Sequence, residues 1–132
     1  MFGFSYNSYH KIITGAIIIA WAVWHFTGAP DANVRYDNGQ LKRSGAVLNG
    51  KNEGKWIWYY ENGKKKMEGT FRNGGRTGTW STWDRNGNKL TQGNYEDDRL
   101  NGEFIRWDAK RNMKEHLLYK DDALIRQFPV QK

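Results

Sequence analysis

The chain has 132 residues, a formal charge of +7, 7 Trp, 7 Tyr, 6 Phe and no Cys. This length holds one compact unit with an appendage, and the missing thiols exclude disulfides, thiolate metal sites and cysteine nucleophiles. The basic excess favours anionic partners such as lipid headgroups or acidic protein faces, and a solvated surface explains it equally well.

Charge is unevenly spread. Residues 1–32 hold one Lys and one Asp, so 20 of the 21 Lys+Arg and 13 of the 14 Asp+Glu lie beyond them. After a tail over 1–11, residues 12–29 carry no formal charge apart from the titratable His25. As a helix these 18 residues span about 27 Å, close to the thickness of a bilayer core. Trp21, Trp24, Tyr6 and Tyr9 suit its interfaces, and Pro30 ends it. The run is apolar all round, which argues against a soluble amphipathic helix. One transmembrane α-helix over 12–29 is therefore expected. The rival is a cleaved signal peptide with Lys11 at its charged edge, but Pro30 directly after Thr27-Gly28-Ala29 is a poor cleavage context. Lys11 before the run, against Arg35, Lys42 and Arg43 after it, leaves the side of the carboxyl domain open.

An ionisable group inside such a run is a functional hypothesis in its own right. His25 is thus a candidate ligand for a haem or chlorophyll-type pigment. The plainer reading is a neutral His near the helix end, reaching the headgroups beside Trp24. His10, His25 and His116 show no metal-ligand spacing, so neither a metal nor another cofactor is expected.

Residues 30–37 read as a linker and first strand. From Asn38 onward the sequence repeats every 24 residues: Gly39, Gly63, Gly87; Gly45, Gly69, Gly93; Gly54, Gly78, Gly102. Rings keep the same step: Trp56, Trp80, Phe104; Tyr59, Trp83, Trp107; Phe71, Tyr95, Tyr119. Self-similarity at this period marks a modular array over 38–122 rather than a single-core enzyme fold. Each unit holds an aromatic strand (55–60, 79–84, 103–108) and a second one (64–72, 88–96 and, weaker, 113–120). Asn-Gly pairs and the doublets Asp97-Asp98 and Asp121-Asp122 mark tight turns between them. For those acidic doublets turn chemistry is favoured over Ca²⁺ binding. No Pro interrupts a strand, and no helical periodicity appears after the apolar run. The fold class is all-β: one long twisted antiparallel meander of eight or nine strands, behind one helix. Alternation puts Trp56 and Tyr59 on opposite faces. The fourth unit lacks its glycines, with Arg111 where Gly39, Gly63 and Gly87 stand, and residues 123–132 read as a cap or tail.

Gly54-Lys55-Trp56 through Tyr59, Gly78-Thr79-Trp80 through Trp83, and Gly102-Glu103-Phe104 through Trp107 carry a family resemblance, together with Gly69 before Phe71 and Gly93 before Tyr95. Over about residues 34–122 the chain resembles the MORN family, in its bacterial, antitoxin-like variant. The resemblance implies a hairpin-array sheet without catalytic residues, used for scaffolding, membrane attachment or protein contact. Combined with the apolar run, it leads to the expectation of a non-enzymatic scaffold or docking subunit of a larger membrane complex. That subunit would pass once through a bacterial inner membrane. The alternative is an exported or antitoxin-like binding module released by cleavage.

The expected partner and sheet face is Trp56, Trp58, Tyr59, Trp80, Trp83, Phe104 and Trp107. The expected anionic contact, with lipid headgroups as a candidate partner beside other membrane subunits, is Lys64, Lys65, Lys66, Arg72 and Arg76. Interleaved Trp and Lys also suit single-stranded nucleic acid, but a membrane anchor argues against that partner.

Overall fold

A computed structural model describes residues 33–130 of the chain. The apolar run 12–29 and His25 lie outside the described residues. Among the described residues there is no helix. They form one nine-stranded antiparallel sheet whose strand order equals chain order. The strands are β1 (Val34–Arg35), β2 (Leu41–Leu48), β3 (Lys51–Tyr59), β4 (Lys65–Arg72), β5 (Gly75–Trp83), β6 (Lys89–Glu96), β7 (Arg99–Trp107), β8 (Met113–Lys120) and β9 (Ala123–Gln127). The sheet is thus the expected meander. Its aromatic strands begin four residues earlier than the sequence suggests. Gly54 and Gly78, at φ of 70° and 66°, read as breaks but sit inside β3 and β5 where the ladder slips. A glycine takes such a bulge conformation without steric cost, so the strand runs on through it.

Two kinds of turn alternate along the meander. Asn49-Gly50, Asn73-Gly74, Asp97-Asp98 and Asp121-Asp122 are two-residue turns with positive φ at both positions, the geometry whose twist suits a tight hairpin. Asn62-Gly63 has the same sequence as Asn73-Gly74 but a different role. There the Tyr60 amide donates to the Lys64 carbonyl (2.8 Å), the Gly63 amide donates to the Tyr60 carbonyl (2.9 Å), and Gly63 takes a φ of 82°. This is a three-residue loop with a glycine bulge. Equivalent loops follow Tyr36, Asp84 and Asp108. The sheet consequently has two margins, one of two-residue turns and one of three-residue loops.

In the last of these loops Arg111 occupies the glycine position at φ 67°. A side chain there carries backbone strain of about 1 kcal/mol, offset only by a long Nε bond to Asn88 (3.4 Å). Arg111→Gly is expected to raise the melting temperature by roughly 4–8 °C, read by circular dichroism. An unchanged or lower value would show that the arginine is bound tightly enough to outweigh the strain.

The packing rests on rings lying over glycines. On one face, alternation aligns Trp56 and Trp58 with Gly69 and Met67, and Trp80 and Thr82 with Gly93 and Thr91. The Trp80 ring lies against Gly69 so closely that a Cβ there would stand 2.1 Å from it, and Trp56 treats Gly45 the same way at 2.2 Å. Each indole N–H then donates to the strand it leans on, Trp56 to the Ala46 carbonyl (3.0 Å) and Trp80 to that of Thr70 (3.3 Å). Both rings are buried although the sheet is a single layer, because glycine lets a large ring meet the backbone itself.

The repeat ends by a change of register. Phe128 is the residue one step of 24 beyond Phe104, yet it does not lie over Leu117. Gln127 pairs with Leu117 instead, and the Phe128 amide donates to the His116 carbonyl (2.8 Å). A one-residue offset turns a side chain to the opposite face, and the Phe128 ring packs on His116 at 4.4 Å between centroids. Leucine at 117 leaves no seat for a ring, so the offset and the missing glycine agree.

Candidate functional site

From Trp56 to Tyr95 the rings of the seated face form one cluster, and Phe104 and Tyr119 form a second pair. Trp58 lies 5.7 Å from Trp56, 6.3 Å from Phe71 and 5.8 Å from Trp80, and Phe71 meets Trp80 edge-on at 4.9 Å. Tyr95 continues the cluster 6.2 Å from Trp80, and Phe104 meets Tyr119 at 6.4 Å. Tilted and edge-to-face arrangements of this kind add to simple burial.

Between these rings runs an open groove of about 430 Å³. Trp58, Phe71, Trp80, Tyr95 and Phe104 line it, together with Met67 of β4. Thr82 and Thr91, cross-strand partners whose hydroxyls are 2.6 Å apart, add a polar spot that already satisfies itself. Arg76 and Asp98 close one end. The guanidinium stacks 4.1 Å from the Tyr95 ring centre, donates through Nε to Asp98 Oδ1 (2.6 Å), and donates through Nη2 to the Asp98 carbonyl (3.1 Å). These bonds from Arg76 hold the Asp98 carboxyl below its ordinary value. The groove therefore offers polarizable ring surface along its length and a fixed Arg76–Asp98 ion pair at one end. That chemistry suits holding an apolar segment in a set orientation and includes no proton-transfer pair.

Of the residues expected on the partner face, the structure brings Trp56, Trp58, Trp80 and Phe104 onto this one. Trp56 is the seated wall rather than exposed surface, at 3 % accessibility. Tyr59, Trp83 and Trp107 fall elsewhere, at the ends of β3, β5 and β7 by the three-residue loops. There Tyr59 pairs with Lys65 and Trp83 with Lys89, and both lysines stand over the Trp83 ring, at 5.9 and 5.7 Å. These contacts belong to the opposite, polar face, where Lys65 also meets Glu68 at 2.7 Å and Lys89 meets Gln92 at 2.9 Å. The Lys65 bond holds the Glu68 carboxyl below its ordinary value against opposing burial.

The five cations of the expected anionic contact divide between the two margins. Lys64 donates to the Asn86 carbonyl (3.0 Å), and Lys66 stands over the Tyr60 ring at 5.8 Å, both beside Lys65 at the loop margin. Arg72 and Arg76 lie at the far ends of their strands, by the two-residue turns. Seven residues of extended chain separate Lys65 from Arg72, about 24 Å. The five do not form one patch.

The acidic turns act locally. Asp122 Oδ1 accepts the Leu100 amide at 2.7 Å, and Asp98 serves Arg76. In the loops, Asp108 accepts the Asn112 and Lys110 amides, both at 2.9 Å, and the Asn112 side chain at 3.1 Å; the Asn112 bonds, backbone first, lead in pulling its carboxyl down to about 2. Among the described residues no three His, Asp or Glu side chains converge to hold a metal ion.

Sequence reasoning missed Phe71, Tyr95, Met67, Thr82, Thr91 and the Arg76–Asp98 pair as groove residues. A signal was present for the first five: each lies two positions from Gly69, Trp80 or Gly93, so strand alternation puts it on the same face. Comparison with known families adds one finding. The family model described as the MORN repeat variant matches residues 52–73 and 76–97, two stretches whose starts are one step of 24 apart. Each runs along one aromatic strand, through its loop and second strand, to the following tight turn. No curated protein matches the chain.

Proposed function

We propose that this chain, similar over two hairpins to the MORN repeat variant, is a non-enzymatic docking module. Its aromatic groove receives an apolar segment of a partner protein. The observation that carries the reading is the groove itself: five rings and Met67 along an open channel of about 430 Å³, with Arg76 fixed at one end. Open apolar surface with an oriented polar pair, Arg76 and Asp98, at one end is what a docked segment requires for affinity and direction. The uncharged run 12–29 supports a further element of the reading, in which a membrane helix holds the module beside other membrane subunits.

The test is purification of the full chain from native membranes in mild detergent, with bound proteins identified by mass spectrometry. Met67→Lys and Thr91→Lys place charge in the groove, and Thr70→Lys places it on the opposite face. The expected result is one or more partners retained by the wild type and by Thr70→Lys and lost from both groove variants, with melting curves confirming that all are folded. Equal recovery from every variant, or no partner at all, would remove the groove from the account. Intact mass of the same sample tests the anchor, since loss of about the first 29 residues would favour an exported module.

A further inference from the structure

The two ends of the sheet are unlike. β1 is two residues long, which leaves little ladder for anything to pair with. β9 has five residues, all exposed, and pairs on one side only, with β8. It contains Leu124 at 53 % and Ile125 at 59 % accessibility, two of the three large apolar residues that stand open among the described residues. Proteins usually blunt a sheet edge with shortness, proline or lysine. β1 uses shortness, whereas β9, reading ALIRQ, uses none of these three; it has a bulge at Ile125, which its ladder with β8 skips, and a single charge, Arg126.

We propose that β9 pairs antiparallel with β9 of a second copy of this chain, joining two nine-stranded sheets into one of eighteen. Continuity of the array is the first support. One step of 24 before β9 stand the strands β7, β5 and β3, and each makes six residue pairs with the strand that follows it. Their ladders with the preceding strand also slip, by more than the single residue, Ile125, that β9 skips, and they pair onward regardless. β9 thus holds the same place in its unit as these strands, with one side of its ladder unpaired among the described residues. Charge is the second support. Pairing centred on Ile125 sets that residue across from itself, Leu124 of each copy across from Arg126 of the other, and Ala123 across from Gln127. No like charges then face each other, and the Arg126 guanidinium leans over the Phe128 ring at 5.8 Å. A head-to-tail contact, β9 onto β1, has only two residues of ladder to use, so the closed two-fold pair wins over an open fibre. Two five-residue strands bury less than a standard interface, so the dimer is reversible and concentration-dependent.

The chain has no cysteine, so a single introduced thiol reports on its own position. Directly opposed residues of an antiparallel pair have Cα atoms about 4.5–5.5 Å apart, within disulfide reach. Full-length Ile125→Cys, oxidised mildly in detergent, is expected to give a covalent dimer. A mixture of Leu124→Cys and Arg126→Cys is expected to give heterodimer at least several-fold above what either gives alone. Thr70→Cys, on the sheet face, supplies the background from two chains sharing a micelle. Cross-linking at 125 no greater than at 70, or a mixture no better than its components, would overturn the proposal. All four side chains are exposed or edge-placed, and thermal melts verify folding. Met67→Lys is expected to leave the cross-link unchanged, which separates failure of edge pairing from failure of the groove.

Discussion

Gly69→Ala is expected to cost the array about 3 kcal/mol, the upper end of what one added methyl does in a packed interior. The melting temperature should fall by roughly 10–20 °C. The methyl would stand 2.1 Å from the Trp80 ring, and neither side can yield easily. The ring is pinned by its N–H bond to the Thr70 carbonyl, and Gly69 lies in a strand hydrogen-bonded on both sides. The backbone at Gly69 needs no positive φ, so alanine fails there through bulk alone. Gly93→Ala provides the contrast. Its methyl would meet Phe104 at 3.0 Å and the end of Leu100 at 3.2 Å, a clash that small shifts relieve, so less than about 1.5 kcal/mol is expected. Thermal denaturation of the two variants side by side decides the matter. Equal melting temperatures would mean that ring-on-glycine packing does not organise the sheet.

Trp80→Ala should be as damaging from the other side of the same contact, at about 3–5 kcal/mol. It removes the ring that joins Trp58, Phe71 and Tyr95 and leaves a trough over Gly69. Stability in an array is a sum of units and of the interfaces between neighbours, so loss at the middle unit divides the sheet. Urea unfolding is then expected to lose its single sharp transition, with a lower m-value or two steps. Tyr119→Ala, whose ring meets only that of Phe104 among the aromatic contacts, should leave the transition single with a distinctly smaller loss. A single steep transition for Trp80→Ala, close to that of the wild type, would contradict the modular picture.

The repeat, the strand count and both margins of turns were legible because they depend on local chemistry. Glycine and asparagine at a fixed step announce where the chain reverses, and alternation then gives the faces. What eluded the sequence depends on contacts across strands. Nothing at Gly69 announces that Trp80, eleven residues on, rests on it, because the slip of the ladder between Glu68 and Thr70 decides that alignment. Gly54 and Gly78 looked like strand boundaries because a bulge and a turn ask the same φ of glycine. Lys64 through Arg76 looked like one basic strip because they are close along the chain, although a β-strand carries Lys65 and Arg72 to opposite margins. The groove was half visible. Trp58, Trp80 and Phe104 were expected on a contact face, whereas Phe71 and Tyr95 were read only as repeat positions, and Arg76 became part of the groove only through the turn that presents Asp98.

The offset that carries Phe128 to the far side has an evolutionary consequence. Repeat proteins lengthen by copying a unit, and here a copied module of 24 residues would slot in wherever a tryptophan finds a glycine waiting on the previous strand. After β8 it would find Leu117 instead. New modules can therefore enter only upstream, which makes the last hairpin a fixed terminus and the number of rungs before it a free variable.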